Sequence, residues 1–341
     1  MAQIETVLVT GATGFIGAHI VDQLLAKGVK VRGATRSLQK GNQMKEARPQ
    51  YQGQLEFVKV NDFTSDIDFT EAITGVDAVV HTASPLTYDT TDNEKELILP
   101  AINGVKAILS AAAKTGQVKR VVLTSSFASV IDVGRNAPPG FTYTGEDWNP
   151  LTYEESVAPG TDAVIAYRGS KKYAELEAWN FIETERPSFD LVSFCPPMTF
   201  GPIVHPVQTA DQLNESNARL WDVAIGKALP EARVPVWIDV RDLAKGHAEA
   251  VFSPKAGGKR YVPAAPEKFS YPLAAKIIRK HFPAAKEQVV PVDDAQAPLG
   301  FDLDGESMSK DLGVQYHDFE STVVDLIKGL EAKGMVPWRT Q

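Results

Sequence analysis

Among 341 residues the chain carries a single cysteine, Cys195. No disulfide can form within it, and one thiol fits a reducing compartment. Basic residues are short of a surplus: the net charge is −8, and no basic run exceeds two or three residues. That argues against a nucleic-acid surface. The six histidines show no close pairs at metal-ligand spacing, so no metal is expected. No uninterrupted apolar run approaches the roughly 20 residues needed to cross a bilayer, so no membrane partner is expected. The chain runs straight into a strand pattern, without the basic region, apolar stretch and cleavage site of a leader. A cytoplasmic protein is the expectation. Internal repeats and low-complexity tracts are also missing.

What is present is a large apolar fraction, 43%, enough for one large domain or two. Strand patterns at 6–10, 30–34, 55–60, 78–82, 120–124 and 190–195 alternate with helical ones, notably 92–114 and 167–186. This predicts an α/β fold, a Rossmann-type doubly wound parallel sheet. Pro196-Pro197 ends the sixth strand. Beyond it come predicted helices at 211–225, 241–252, 271–282 and 319–333, with short strands at 237–240 and 260–262. The expected division is a dinucleotide-binding domain over 1–200 with a return segment near 234–255. A smaller substrate-binding region would take 201–233 and 256–341.

The segment Val7-Leu8-Val9-Thr10-Gly11-Ala12-Thr13-Gly14-Phe15-Ile16-Gly17 joins a strand to a helix through three glycines spaced three apart. A pyrophosphate reaches backbone N–H groups only where no Cβ intervenes, and a helix N-terminus adds partial positive charge. A dinucleotide site follows. After the second strand no carboxylate is available for a ribose 2′-hydroxyl. Arg36 and Lys40 stand there instead, suited to a 2′-phosphate, which points to NADPH. The competing reading is a solvated basic helix start. Asp62, after the third strand, is placed to accept from the adenine amine or to cap a helix.

Two further motifs lie downstream. Tyr167-Arg168-Gly169-Ser170-Lys171 puts a phenol and an ammonium one helical turn apart. Leu123-Thr124-Ser125-Ser126 puts hydroxyls at the C-terminal edge of a central strand, where open parallel sheets bind ligands. For both serines the plain alternative is strand-end capping.

These three motifs, in this order, resemble the extended short-chain dehydrogenase/reductase superfamily. His81-Thr82-Ala83-Ser84-Pro85, Pro100-Ala101-Ile102-Asn103-Gly104-Val105, Trp148-Asn149-Pro150 and Ile238-Asp239-Val240-Arg241-Asp242 narrow the likeness. Together they are similar to the dihydroflavonol-reductase-like branch, in particular to the fungal NADPH-dependent methylglyoxal reductases and related aldehyde/ketone reductases. The likeness covers nearly the whole chain. It implies reduction of aldehydes and ketones by a monomer or homodimer acting on small carbonyl compounds.

It also implies roles. Tyr167 would donate a proton, its pKa lowered by the Lys171 ammonium. Ser126, preferred over Ser125, would hold the carbonyl oxygen. Cofactor contacts would come from Gly11, Thr13, Gly14, Phe15, Ile16, Gly17, Arg36, Lys40, Asp62, Thr82, Ala83, Ser84, Tyr167, Lys171, Pro196 and Met198. Leu86, Phe127, Val164 and Met198 would line the substrate pocket, or else belong to the core. One departure stands before the Pro196–Phe200 loop, where relatives often carry Asn and this chain has Cys195. Two other functions share the same motifs: a sugar-nucleotide epimerase or dehydratase, and a non-catalytic NADPH-sensing protein.

Overall fold

The structure, a computed structural model, describes residues 3–60, 68–84, 90–135, 137–232, 234–293, 295 and 297–338. Asp62 and Leu86 lie outside the described residues. In chain order the strands are β1 (Thr6–Thr10), β2 (Lys30–Thr35), β3 (Leu55–Lys59), β4 (Ala78–His81), β5 (Arg120–Thr124), β6 (Thr142–Tyr143), β7 (Asp190–Phe194), β8 (Met198–Phe200), β9 (Trp237–Asp239), β10 (Arg260–Tyr261) and β11 (Asp302–Leu303). The helices are α1 (Phe15–Ala26), α2 (Leu38–Glu46), α3 (Thr70–Ile73), α4 (Leu99–Thr115), α5 (Tyr153–Val157), α6 (Ala163–Glu185), α7 (Glu215–Ala224), α8 (Val240–Phe252), α9 (Tyr271–His281), α10 (Gly305–Leu312) and α11 (Phe319–Ala332).

Seven strands form one parallel sheet in the order β10-β7-β5-β4-β1-β2-β3. Alternate residues of a strand face opposite ways. Val7 and Val9 therefore join a core with α1 and α8, while Leu8 joins one with α3, α4 and α6. Both faces are covered, which is why the strands read as continuous apolar runs. A stretch of π-helix at Glu94–Ile98 leads into α4. The run Glu94–Thr115 is apolar and long enough to span a bilayer, yet half of that window is buried inside this fold. A third core gathers α7, α9 and α11 around Phe200, Trp237, Phe269 and Phe319.

The structure differs from expectation at four places. The helix carrying the tyrosine motif starts at Ala163, because the Asp162 side chain accepts from Val164 N at 2.8 Å and caps it there. Tyr167 sits in the second turn rather than at the start. Helix α7 starts at Glu215, after a 3-10 turn at Ala210–Gln212. Strand β9 pairs with β8 in a separate two-stranded sheet, while α8, directly after it, packs on α1. Finally, the return to the main sheet passes residue 255, since β10 pairs with β7. The two-residue pair β6–β11 and helix α10 had no strong periodic signal.

Candidate active site

The strand order reverses between β1 and its two neighbours, β2 and β4, and that switch point opens the cleft. Polar contacts stitch its edge. Thr10 Oγ1 and His81 Nδ1 share a 2.9 Å hydrogen bond, and Thr82 Oγ1 donates to Thr10 O at 2.7 Å. Burial lowers His81 to about 3, so the ring is uncharged. Gly11 has φ +65°, a left-handed conformation costly for other residues. A Cβ at Gly17 would lie 2.2 Å from Gly11 O, so only glycine lets the helix pack this close to the turn. Helix α1 then starts with no side-chain cap and no acidic residue in its first turn. Its N-terminus borders the cleft, with Gly11, Thr13, Gly14, Phe15, Ile16 and Gly17 all in the lining. These are features of an anion site. Arg36 and Lys40 line the same cleft where β2 gives way to α2, whose cap is Ser37.

Further along the cleft three side chains converge. The Tyr167 phenol is hydrogen-bonded to Ser126. The Lys171 ammonium lies 5.5 Å from the Tyr167 ring centre and donates to Ser84 Oγ at 2.7 Å. Ser125, one residue away from Ser126, turns inward and donates to Glu175 Oε2 at 2.7 Å. So the two adjacent serines do different work. Burial pushes the Tyr167 phenol up to about 12, outweighing the hydrogen bond from Ser126, and lowers Lys171 to about 8. The sequence predicted a lowered phenol pKa. Desolvation is the stronger effect of the protein's own groups, and the phenol keeps its proton at neutral pH.

The sequence reading missed what lies behind this triad. Glu175 is buried two turns after Tyr167 on α6, paired with Arg260 Nε on β10 at 2.8 Å. Ser125, Ser129 and Ser193 hydroxyls all donate to its carboxylate at 2.7 Å. Ser129 belongs to the turn that follows Ser126. Burial would raise the Glu175 pKa, but Arg260 and the hydroxyls hold it below the usual glutamate value. The Arg260 guanidinium also stacks 3.7 Å over Trp148 and donates to Gly145 O at 3.1 Å. A carboxylate four residues after Lys171, on a helix with an apolar inner face, was the one available signal. Cys195 lies against the same carboxylate, with Sγ 3.4 Å from both oxygens. Burial pushes that thiol up to about 12, so it is an inert packing group. The loop after it is anchored by Phe127 N donating to Pro196 O at 3.0 Å.

The whole cleft measures about 1250 Å³, above the roughly 300–1,000 Å³ usual for one small ligand. Thr82, Ala83, Ser84, Pro196 and Met198 line it, as do Phe127 and Val164. Helix α7 adds Glu215, Ser216 and Arg219, which the sequence reading did not single out.

Comparison with known proteins identifies the family and the fold. The sequence pattern of the NAD dependent epimerase/dehydratase family matches residues 7–262. The NADPH-dependent methylglyoxal reductase of Saccharomyces cerevisiae is 35% identical over 94% of this chain and 96% of its own. A ketoreductase of Aspergillus niger is 35% identical over 96% of this chain and 97% of its own. The crystal structure of yeast methylglyoxal/isovaleraldehyde reductase complexed with NADPH superimposes with a TM-score of 0.86 at 34% identity, covering 97% of this chain and 100% of that one. The chain belongs to the NAD dependent epimerase/dehydratase family, the extended short-chain dehydrogenase/reductases, and its fold is the Rossmann-like α/β fold of that structure.

Proposed function

We propose that this protein is an NADPH-dependent carbonyl reductase, turning aldehydes and ketones into alcohols. The observation that carries the reading is the meeting of the Tyr167 phenol, the Ser126 hydroxyl and the Lys171 ammonium in the cleft that begins at the glycine turn. The residues present fit the cofactor. An uncapped helix start beside Gly11, Gly14 and Gly17 would hold the pyrophosphate, Arg36 and Lys40 the 2′-phosphate, and Lys171 the nicotinamide ribose. Bound there, NADPH supplies the hydride. Ser126 and Tyr167 orient the carbonyl oxygen by hydrogen bonds. Tyr167 then gives its proton to the oxygen as negative charge builds on it, and Ser126 and Lys171 stabilise the phenolate left behind.

Methylglyoxal, diketones and aryl ketones are the proposed substrates, with Phe127, Val164 and Met198 as pocket walls. A sugar-nucleotide epimerase would need clustered cations for a diphosphate. Helix α7 offers Arg219, held by Glu215 at 2.8 Å. We also infer a two-part organisation, a cofactor domain over 1–200 to which the chain returns with α8 and β10, and a smaller substrate region built from the rest, in a cytoplasmic monomer or homodimer. The test is NADPH oxidation over a panel of aldehydes, diketones and aryl ketones, with chromatography of the alcohols. Turnover of several is expected. No turnover of any carbonyl, with NADPH still bound, would leave a sensing role.

A further inference from the structure

Arg168 directly follows the tyrosine of the motif, and the mechanism above gives it nothing to do. It sits one turn after Val164 on α6, and both line the cleft. The apolar side chains of Phe127, Ile131 and Val133 line the same cleft. The cleft lining as a whole also carries Glu215, Arg219 and Glu231. Arg168 is half-buried, and its backbone carbonyl accepts from Asn149 Nδ2 at 3.4 Å. Among the described residues its guanidinium has no hydrogen-bond or ion-pair partner.

Other arginines of the chain are provided for. Arg32 has Glu56, Arg48 has Asp22, Arg120 has Asp190, Arg241 has Asp239 and Arg260 has Glu175. Asp132 exerts some attraction on Arg168, but its Oδ1 already accepts from Gly134 N at 2.9 Å and Arg135 N at 3.2 Å. Burial pushes Arg168 below the usual arginine value. Holding a cation half out of water without a partner costs free energy. The cost is recovered if an anion arrives with the ligand. Of the other charged side chains lining the cleft, Glu215 pairs with Arg219, Lys171 is held by Ser84 and Glu96 accepts from Thr91, while Glu231 is exposed.

We propose that Arg168 is an anion-recognition residue of the substrate pocket, and that the preferred substrates are carbonyl compounds with an apolar body and a carboxylate. A planar guanidinium beside Phe127, Val164 and Ile131 matches a carboxylate in bidentate fashion, with the apolar side chains left for the body of the substrate. A phosphate dianion would call for more donors than this wall supplies. The inference rests on the carbonyl-reductase reading and names a substrate class for the same pocket.

The test compares three ketones of one shape: 4-acetylbenzoate, its methyl ester, and the 4-aminomethyl analogue. In the wild type the carboxylate should have the lowest KM and the ammonium the highest, by at least tenfold, and the gap should narrow with salt. A non-reducible arylcarboxylate, 4-ethylbenzoate, should inhibit competitively against the ester. In Arg168→Met, folding checked by thermal melting, the ratio of kcat/KM for acid over ester should fall at least tenfold, through KM rather than kcat. Arg168→Lys should restore part of it. A ratio within threefold of wild type, or a loss confined to kcat, would overturn the proposal. If Arg168→Met does not fold, the wild-type charge series and the inhibition decide alone: equal KM values for the three ketones would sink it. Failure of the enzyme to reduce even the ester would instead overturn the reductase reading.

Discussion

The two ends of the cleft are built differently. At the glycine turn the ligand-facing surface is mostly backbone: a left-handed Gly11, a Gly17 that admits no Cβ, and an uncapped helix start. At the far end it is side chain: Phe127, Val164, Arg168 and Met198, with α7 supplying Glu215 and Arg219. Backbone geometry tolerates little change, so the first end can serve only one kind of ligand. Side chains can be exchanged one at a time. Related chains can therefore share a cofactor and differ in what they reduce.

Between the two ends stands Tyr167, the proposed proton donor, and removing its phenol should have the largest effect. Tyr167→Phe keeps the ring and deletes the acid. A general acid contributes about 10²–10⁴-fold, so kcat should drop by that order while NADPH affinity, read by fluorescence titration, stays within a few-fold. Activity within tenfold of wild type would remove Tyr167 from the role.

The next test breaks the cofactor end alone. Charge-assisted hydrogen bonds are worth roughly 1.5–3 kcal/mol each. Arg36→Ala with Lys40→Ala should therefore raise the Kd for NADPH by the order of 100-fold and leave NADH nearly untouched. Equal losses for both cofactors would make the pair ordinary surface charges.

A pH series sharpens the link between the ends. Lys171 is lowered to about 8, so its ammonium is present below that pH and lost as pH rises through it. Free-enzyme pKa values show in kcat/KM. For NADPH that quantity should be flat from about pH 6 to 7.5 and fall up to tenfold per unit above about 8. A profile flat to pH 10 would mean that the ammonium does not matter to binding.

The smallest effect belongs to the far wall. Reshaping one apolar wall is worth roughly 1–3 kcal/mol in discrimination, and about 1.4 kcal/mol shifts the ratio of two product enantiomers tenfold. Met198→Phe should change the enantiomeric excess on a bulky aryl ketone while a small dicarbonyl is turned over at a similar rate. Chiral chromatography beside steady-state rates checks it. Unchanged selectivity with a lowered Tm would place Met198 in the core.

The same contrast explains how much the sequence disclosed. Strands β1, β4 and β5 were legible to within a residue or two because both faces are buried and the apolar runs are continuous, and β2 and β7 were legible despite the polar Arg32 and Ser193 within them. The glycine turn and the spacing of Tyr167 and Lys171 are local patterns, readable without knowing the fold. Glu175 and Arg260 are 85 residues apart, and nothing local to either announces the other. Their pairing exists only once β10 has joined β7. Arg168 was visible as a letter of the motif, but its lack of a partner among the described residues is a fact about three-dimensional surroundings. The cap at Asp162 was a detectable signal left unused: an acidic residue just before a helical run.

The ion pair between Glu175 and Arg260 limits how this protein can be recombined. A chimera joined after residue 200 would draw the helix with Tyr167 and Lys171 from one parent and β10 from another. If the second parent brought no guanidinium at position 260, Glu175 would be a stranded interior charge, a defect of about 3–5 kcal/mol. It would sit under Ser125 and Ser129, next to Ser126, the hydroxyl proposed to hold the substrate. Swapping substrate regions to graft a new specificity should therefore fail at the joint unless residues 175 and 260 travel together. In laboratory shuffling, surviving crossovers should either leave both positions with one parent or bring two parents that carry the same pair.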